Sequence, residues 1–154
     1  MGYEVRQTAI DPQPVLLIRT ETTPAEIGPA YGEALAELKA HLEAEGIEPA
    51  GPPFARFPVY TPERVEMEVG VPVGTRLSGR GRIQADELPG GAVATTVHVG
   101  SYKGLGAAHA ALTEWLGSNG KRGGTPWEVY LVGPSDIADS SGWRTQIVYP
   151  VLDR

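Results

Sequence analysis

The sequence predicts an α+β fold built from duplicated strand–helix–strand–strand units. These carry antiparallel sheets, one long helix per half, pseudo-two-fold symmetry and a cleft where the halves meet. Three observations carry this expectation. First, the chain repeats itself: Val15 and Val93, like Pro72 and Pro150, lie 78 positions apart, and Gly51 and Gly124 lie 73 apart. The differing offsets place an insertion and its reversal inside one unit. Second, each half opens on a β-branched run and closes on a Val-rich segment, Val69-Gly70-Val71-Pro72-Val73 and Val148-Tyr149-Pro150-Val151. Third, an apolar stripe at helical spacing lies between those runs in both halves.

In chain order, a short strand near Tyr3 to Thr8 precedes the first main strand, Val15 to Thr20. Thr23-Pro24-Ala25-Glu26 reads as a capping box with Pro at the first helical position, and Pro29 restarts the helix one turn later. Tyr31, Leu35, Leu38 and Leu42 form its stripe, and Gly46 stops it. Strands follow around Phe54 to Tyr60 and Val65 to Val73. The second half has a short strand at Arg82 to Glu87, then Ala92 to Val99. Its helical stripe is Leu105, His109, Leu112 and Leu116 with Trp115 beside it, stopped by Gly117 to Gly120. Strands Trp127 to Val132 and Arg144 to Val151 complete it. The expected organisation is a single domain, 1–154, of two repeats, about 1–73 and 79–154, with the glycine-bearing segment 74–81 as linker.

Composition excludes several functions. The net charge of −6 and the dispersed bases argue against a nucleic-acid surface, which needs clustered Lys and Arg. Arg76, Arg80 and Arg82, the densest set, sit among glycines and read as a solvated turn. Without cysteine there are no disulfides, thiolate nucleophiles or thiolate metal sites. No signal-peptide pattern or long apolar run is present, so the expected location is the cytoplasm. Arg-rich, Lys-poor usage with abundant Ala, Gly and Pro fits a GC-rich bacterial genome.

Phosphate loops, nucleophile elbows and paired metal-ligand histidines are absent, so neither a cofactor nor a metal is expected. His41 and His109 read as structural, the latter because it falls on an apolar stripe, while His98 precedes a glycine turn and could line a cleft. Pro126-Trp127-Glu128-Val129-Tyr130-Leu131 is the stronger signal. Strand alternation places Glu128 and Tyr130 on one face and Trp127 and Val129 on the other. A carboxylate in such surroundings is seldom buried without a partner or a purpose. Either it pairs with a base such as Arg144, or it serves a ligand.

Val97-His98-Val99-Gly100-Ser101-Tyr102, Glu114-Trp115-Leu116, the Pro126 to Leu131 segment, Pro134 and Tyr149-Pro150-Val151 together resemble the GyrI-like small-molecule-binding domain. This domain also forms the effector-binding part of AraC- and MerR-type multidrug regulators. The resemblance is sharpest over 83–151 and weaker over 15–73. It implies the duplicated strand–helix–strand–strand (SHS2) fold, and a cleft for lipophilic, aromatic and often cationic ligands with a carboxylate at its base. Glu128 matches that carboxylate, Tyr130 and Tyr149 match family aromatics, and Tyr102 matches the glycine-turn tyrosine. Trp127, Trp143, His98, Phe57 and Tyr60 complete the candidate ligand-binding set.

Residues 1–14 are too few for a helix-turn-helix, so direct transcriptional control by this chain alone is not expected. The expected role is a stand-alone binding protein, a monomer or weak homodimer without nucleic-acid or membrane partners. The alternative that the resemblance implies is a hydrolase of DNA-alkylating cyclopropanoid antibiotics, with Glu128 activating water and the hydroxyl of Tyr130 or Tyr102 stabilising the phenolate formed as the ring opens. A protein-partner role such as inhibition of DNA gyrase is a third reading that the resemblance implies, without a residue that points to it.

Overall fold

A computed structural model describes residues 2–153. In chain order the strands and helices are β1 (Arg6–Ile10), β2 (Gln13–Thr22), α1 (Ile27–Glu45), β3 (Phe54–Tyr60), β4 (Val65–Pro72), β5 (Ile83–Leu88), β6 (Gly91–Val99), α2 (Leu105–Ser118), β7 (Lys121–Gly123), β8 (Trp127–Val132) and β9 (Arg144–Asp153). All strand pairs within the two compact units are antiparallel, so the fold is α+β. Among the described residues, no helix is long and apolar enough to cross a membrane.

The chain divides into two compact units, residues 12–89 and residues 1–11 with 90–154. These bounds differ from those of the repeat. The short strand β1 does not stay with the residues that follow it. It pairs with β6, Arg6 opposite Thr95 through Ile10 opposite Gly91. Tyr3 and Val5 pack on the apolar cluster of that unit, which holds the segment there.

In the unit of residues 12–89 the strand order is β5-β2-β4-β3. Val15, Leu16, Leu17 and Ile18 are all essentially inaccessible, as expected of a strand with both faces covered. The helix α1 buries Ala34, Leu38 and Leu42, so the expected stripe holds at Leu38 and Leu42, while Ala34 takes the buried place one turn earlier and Tyr31 and Leu35 are half-buried at its flank. Pro29 sits in the first turn, where its missing N–H removes only a donor that has no partner inside the helix. The capping box does not form. Thr23 is extended, but its hydroxyl makes no cap bond, because a 3-10 turn closes first through Glu26 N–H to Thr23 O at 2.9 Å. At the other end Gly46 adopts φ 66° and donates to Glu43 O, while Ile47 donates to Leu42 O. A residue with a Cβ resists that left-handed conformation.

A cross-strand ion network lies in this unit. Glu68, 5% exposed, accepts from Arg19 at 2.7 Å and from Arg56, and both guanidiniums also reach Asp86. The segment 74–81, expected as the linker between the repeats, lies inside this unit between β4 and β5 and has no strand or helix.

In the other unit the order is β1-β6-β9-β8, with β7 on the remaining stretch of β9. Ala108, Leu112 and Leu116 of α2 pack on Ala94, Ile147 and Tyr149 of the sheet. Strand β7 was not expected from the sequence. Its three residues carry no apolar alternation, and only pairing with the end of β9 makes them a strand.

Candidate functional site

Strand β8 sets the site. Glu128 pairs with Ile147 and Tyr130 with Thr145, so both point to the face that α2 covers. Trp127 faces the other way and is core, 3% exposed. Glu128 is buried, 7% exposed, and its carboxylate meets two donors. Tyr130 donates its hydroxyl to Oε1 at 2.7 Å, and His109 Nε2 lies 2.6 Å from Oε2. The other ring nitrogen, His109 Nδ1, lies 2.7 Å from the Tyr149 hydroxyl. A continuous chain therefore runs Tyr149–His109–Glu128–Tyr130. With Glu128 ionised and the imidazole neutral, Nε2–H donates to the carboxylate and Nδ1 accepts from Tyr149.

The chain is assembled from three elements. His109 comes from the α2 stripe, one helical turn from Leu112 and Leu105, which orients its ring toward the sheet. Tyr149 stands on β9 with its ring edge-on to His109, centroids 5.6 Å apart. It is pinned from behind by Gly123, where a Cβ would lie only 2.7 Å from the ring. Burial, and then the negative charge of Glu128, push the Tyr149 phenol up to about 12. Tyr149 thus stays protonated in the folded state above the pH at which it ionises in the unfolded chain. Stability from this group is fully present below about pH 10 and is lost as the pH rises toward about 12. Alkaline denaturation between those values is expected to be steeper for the natural chain than for Tyr149→Phe. Equal steepness in urea midpoints against pH would refute the assignment.

Outward from Glu128 lies a run of aromatic rings. Tyr102 meets Tyr130 edge-on at 5.7 Å and leans on Trp143 at 4.9 Å. Trp143 is held by its indole N–H on Ile137 O at 2.9 Å. Burial, then Glu128 and Asp136, raise the pKa of the Tyr102 phenol. Tyr102 remains 37% exposed, so the array grades from a partly open edge to a buried carboxylate.

The other candidates lie elsewhere. His98 is buried with both nitrogens engaged. Nε2 meets Ser101 O and Nδ1 meets the Tyr3 hydroxyl, each at 2.8 Å. Since a carbonyl only accepts, Nε2 carries the proton and Tyr3 donates to Nδ1 in the neutral ring. This clamp fixes the turn that presents Tyr102. Phe57 and Tyr60 form an edge-on pair at 6.2 Å in the unit of residues 12–89, with Tyr60 largely exposed. Arg144 is exposed and does not pair with Glu128. His109 is the residue that sequence reasoning missed as functional. The available signal was one imidazole on an apolar stripe, which on burial must find polar partners.

Among the described residues, no group of three or more His, Asp or Glu side chains could hold a metal ion.

The model of the GyrI-like small molecule binding domain matches residues 3–152. No curated protein sequence matches the chain. Among solved structures, the fold is similar to EcmrR in an EcmrR–DNA complex, at TM-score 0.87 and 21% identity, over 99% of this chain and 58% of that one. This chain thus spans little more than half of EcmrR. The EcmrR C-terminal domain alone is similar end to end, covering 100% of both chains at TM-score 0.83 and 22% identity. A hydrolase from Listeria innocua is similar at TM-score 0.70 and 11% identity, over 97% of this chain and 92% of that one. SAV2435 bound to tetraphenylphosphonium is similar at 0.68 and 14%, over 98% and 94%. At these identities the likeness is one of fold.

Proposed function

This chain belongs to the GyrI-like small molecule binding domain family, and we propose that it binds lipophilic aromatic cations with Glu128 as the counter-charge. Tyr130, Tyr102, Trp143 and Tyr149 form the aromatic surround. One contrast carries this reading. Of the two buried glutamates, Glu68 is matched by Arg19 and Arg56, whereas the partners of Glu128 among the described residues are an imidazole and a phenol. A desolvated carboxylate without a guanidinium or ammonium is costly. A ligand cation supplies the missing charge, and each aromatic face adds cation–π attraction of ~0.5–2 kcal/mol. The tetraphenylphosphonium held by SAV2435 is a cation of this class.

The repeat is part of the same reading. With the three-residue β7 set aside, both units run strand–helix–strand–strand, β2-α1-β3-β4 and β6-α2-β8-β9, which supports a duplicated unit with pseudo-two-fold symmetry. The offset of 73 that relates Gly51 to Gly124 brings Ala55 to the position of Glu128, so the carboxylate belongs to one copy.

Titration with tetraphenylphosphonium, followed through Trp fluorescence, tests the binding reading. Saturable quenching is expected, with triphenylphosphine oxide, a neutral relative, binding at least about tenfold more weakly, or ~1.4 kcal/mol. Equal affinities would remove the counter-charge role.

A second reading is favoured by the Tyr149–His109–Glu128 chain, which has the form of an oriented general base. In it Glu128 activates water, and Tyr130 or Tyr102 stabilises the phenolate formed as a cyclopropanoid ring opens. The hydrolase from Listeria innocua shares the fold. Mass spectrometry of a cyclopropanoid after incubation decides it: a hydrated product supports hydrolysis, and unchanged compound leaves binding alone.

A further inference from the structure

We infer that His109 exchanges its proton for the positive charge of the ligand, so that cation uptake at Glu128 releases a proton from the imidazole to solvent. The inference rests on Glu128 being the counter-charge and goes beyond it, because it makes the site proton-coupled.

The geometry accepts both charge states without moving a heavy atom. Glu128 Oε2 accepts from His109 Nε2–H whether the ring is neutral or cationic. The Tyr149 hydroxyl can reverse its bond. It donates to Nδ1 of a neutral ring and accepts from Nδ1–H of an imidazolium across the same 2.7 Å. Tyr149, held protonated by burial and by Glu128, is able to play both parts over the whole range in which imidazoles titrate. The His109 side chain is 24% exposed, so its proton has a route to water.

The two states differ in what a cation meets. With imidazolium, the His109–Glu128 pair is already neutral, and an arriving cation faces a like charge beside its counter-ion. With neutral imidazole, the pair carries one net negative charge in the same place. A bound cation therefore disfavours the protonated ring, and acid disfavours the bound cation.

Other charged and titratable groups on the elements around α2 are engaged or exposed. On β6, His98 is bonded to Ser101 and Tyr3. On β7, Lys121 and Arg122 meet Asp153 of β9. Tyr102 leans on Trp143, while Lys103 of the same turn and Glu114 of α2 are exposed. On β8, Tyr130 donates to the same carboxylate. Glu128 and the ligand are thus the charges that act most directly on the ring.

The test is calorimetry with tetraphenylphosphonium near pH 6.5, in phosphate and in Bis-Tris, whose ionisation enthalpies differ. The dependence of the binding enthalpy on buffer counts the protons released. Fractional proton release is expected, with affinity rising severalfold from pH 5.5 to 8. The neutral triphenylphosphine oxide should release none. His109→Gln, whose amide can donate to Glu128 and accept from Tyr149, should show no proton release and a flat pH profile in whatever affinity it retains. His98 remains in that variant as the internal control. A buffer-independent enthalpy and pH-flat affinity in the natural chain overturn the inference, as does proton release that survives in His109→Gln. Those results leave the counter-charge reading standing if Glu128→Gln still weakens the cation. If Glu128→Gln changes nothing, the counter-charge reading fails and takes the inference with it. The proton count in the natural chain needs no variant, so a misfolded His109→Gln does not spoil the test.

Discussion

Glu128→Gln is expected to weaken tetraphenylphosphonium binding by about 10- to 100-fold at pH 8, or ~1.4–2.8 kcal/mol, while the protein stays folded. The charge is lost, but the hydrogen bonds can be rebuilt in place. The Gln amide oxygen accepts from Tyr130, and its NH2 donates to His109 Nε2. The imidazole then carries its proton on Nδ1 and donates it to the Tyr149 oxygen. Each group of the present chain keeps one hydrogen bond, although the Tyr149 hydroxyl now accepts where it had donated. The expected change in stability is therefore modest, about 1–2 kcal/mol from the donor that Tyr149 no longer uses. Glu128→Leu, by contrast, takes away the acceptor of the His109 N–H, at about 1–3 kcal/mol for a donor that loses its partner. Binding isotherms with the cation and its neutral relative, together with a urea titration, separate the two effects. Unchanged cation affinity in a folded Glu128→Gln protein removes Glu128 from the binding site.

Gly104→Ala is expected to destabilise the fold by about 2–4 kcal/mol. Gly104 has φ −88° and ψ −3°, a conformation open to any residue, and it directly precedes α2. Propensity alone would favour Ala there. Space decides the sign. A Cβ at this position lies 2.4 Å from His98 Cε1 and 2.9 Å from Nε2. The ring cannot yield cheaply, because it is buried and tied at both nitrogens, to Ser101 O and to Tyr3. Turning it breaks both bonds. Moving the turn instead shifts Tyr102 off Tyr130 and Trp143, so cation affinity should fall along with stability. A double-mutant cycle with His98→Ala isolates the clash. The two costs should overlap, leaving the cost of the double variant well below the sum of the singles. Additive costs would show that His98 is not what Gly104 makes room for.

Much of the framework was legible in residue order because local patterns report local geometry. The Val15 to Ile18 run, the Leu38 and Leu42 stripe and the Gly46 stop were readable, since strand alternation, helical periodicity and a left-handed glycine are properties of a few neighbouring residues. The Thr23 cap misled because two closures compete there, a side-chain bond and a 3-10 turn, and backbone geometry chose between them. Strand β7 had no local signature at all. Its pairing with Val151 to Asp153 is the whole reason it exists.

The sequence by itself determined that Glu128 and Tyr130 share one face of a strand, because side chains two apart on a pleated backbone must. It also carried the motifs by which the family was identified. Only the tertiary structure decided that His109, nineteen residues earlier on a helix, is the group that meets Glu128. It also decided that Arg144 is not that group. Which helical residue lies over which strand residue depends on how α2 seats on the sheet. The packing of Ala108, Leu112 and Leu116 against Ala94, Ile147 and Tyr149 sets that seating, and no spacing within either segment encodes it.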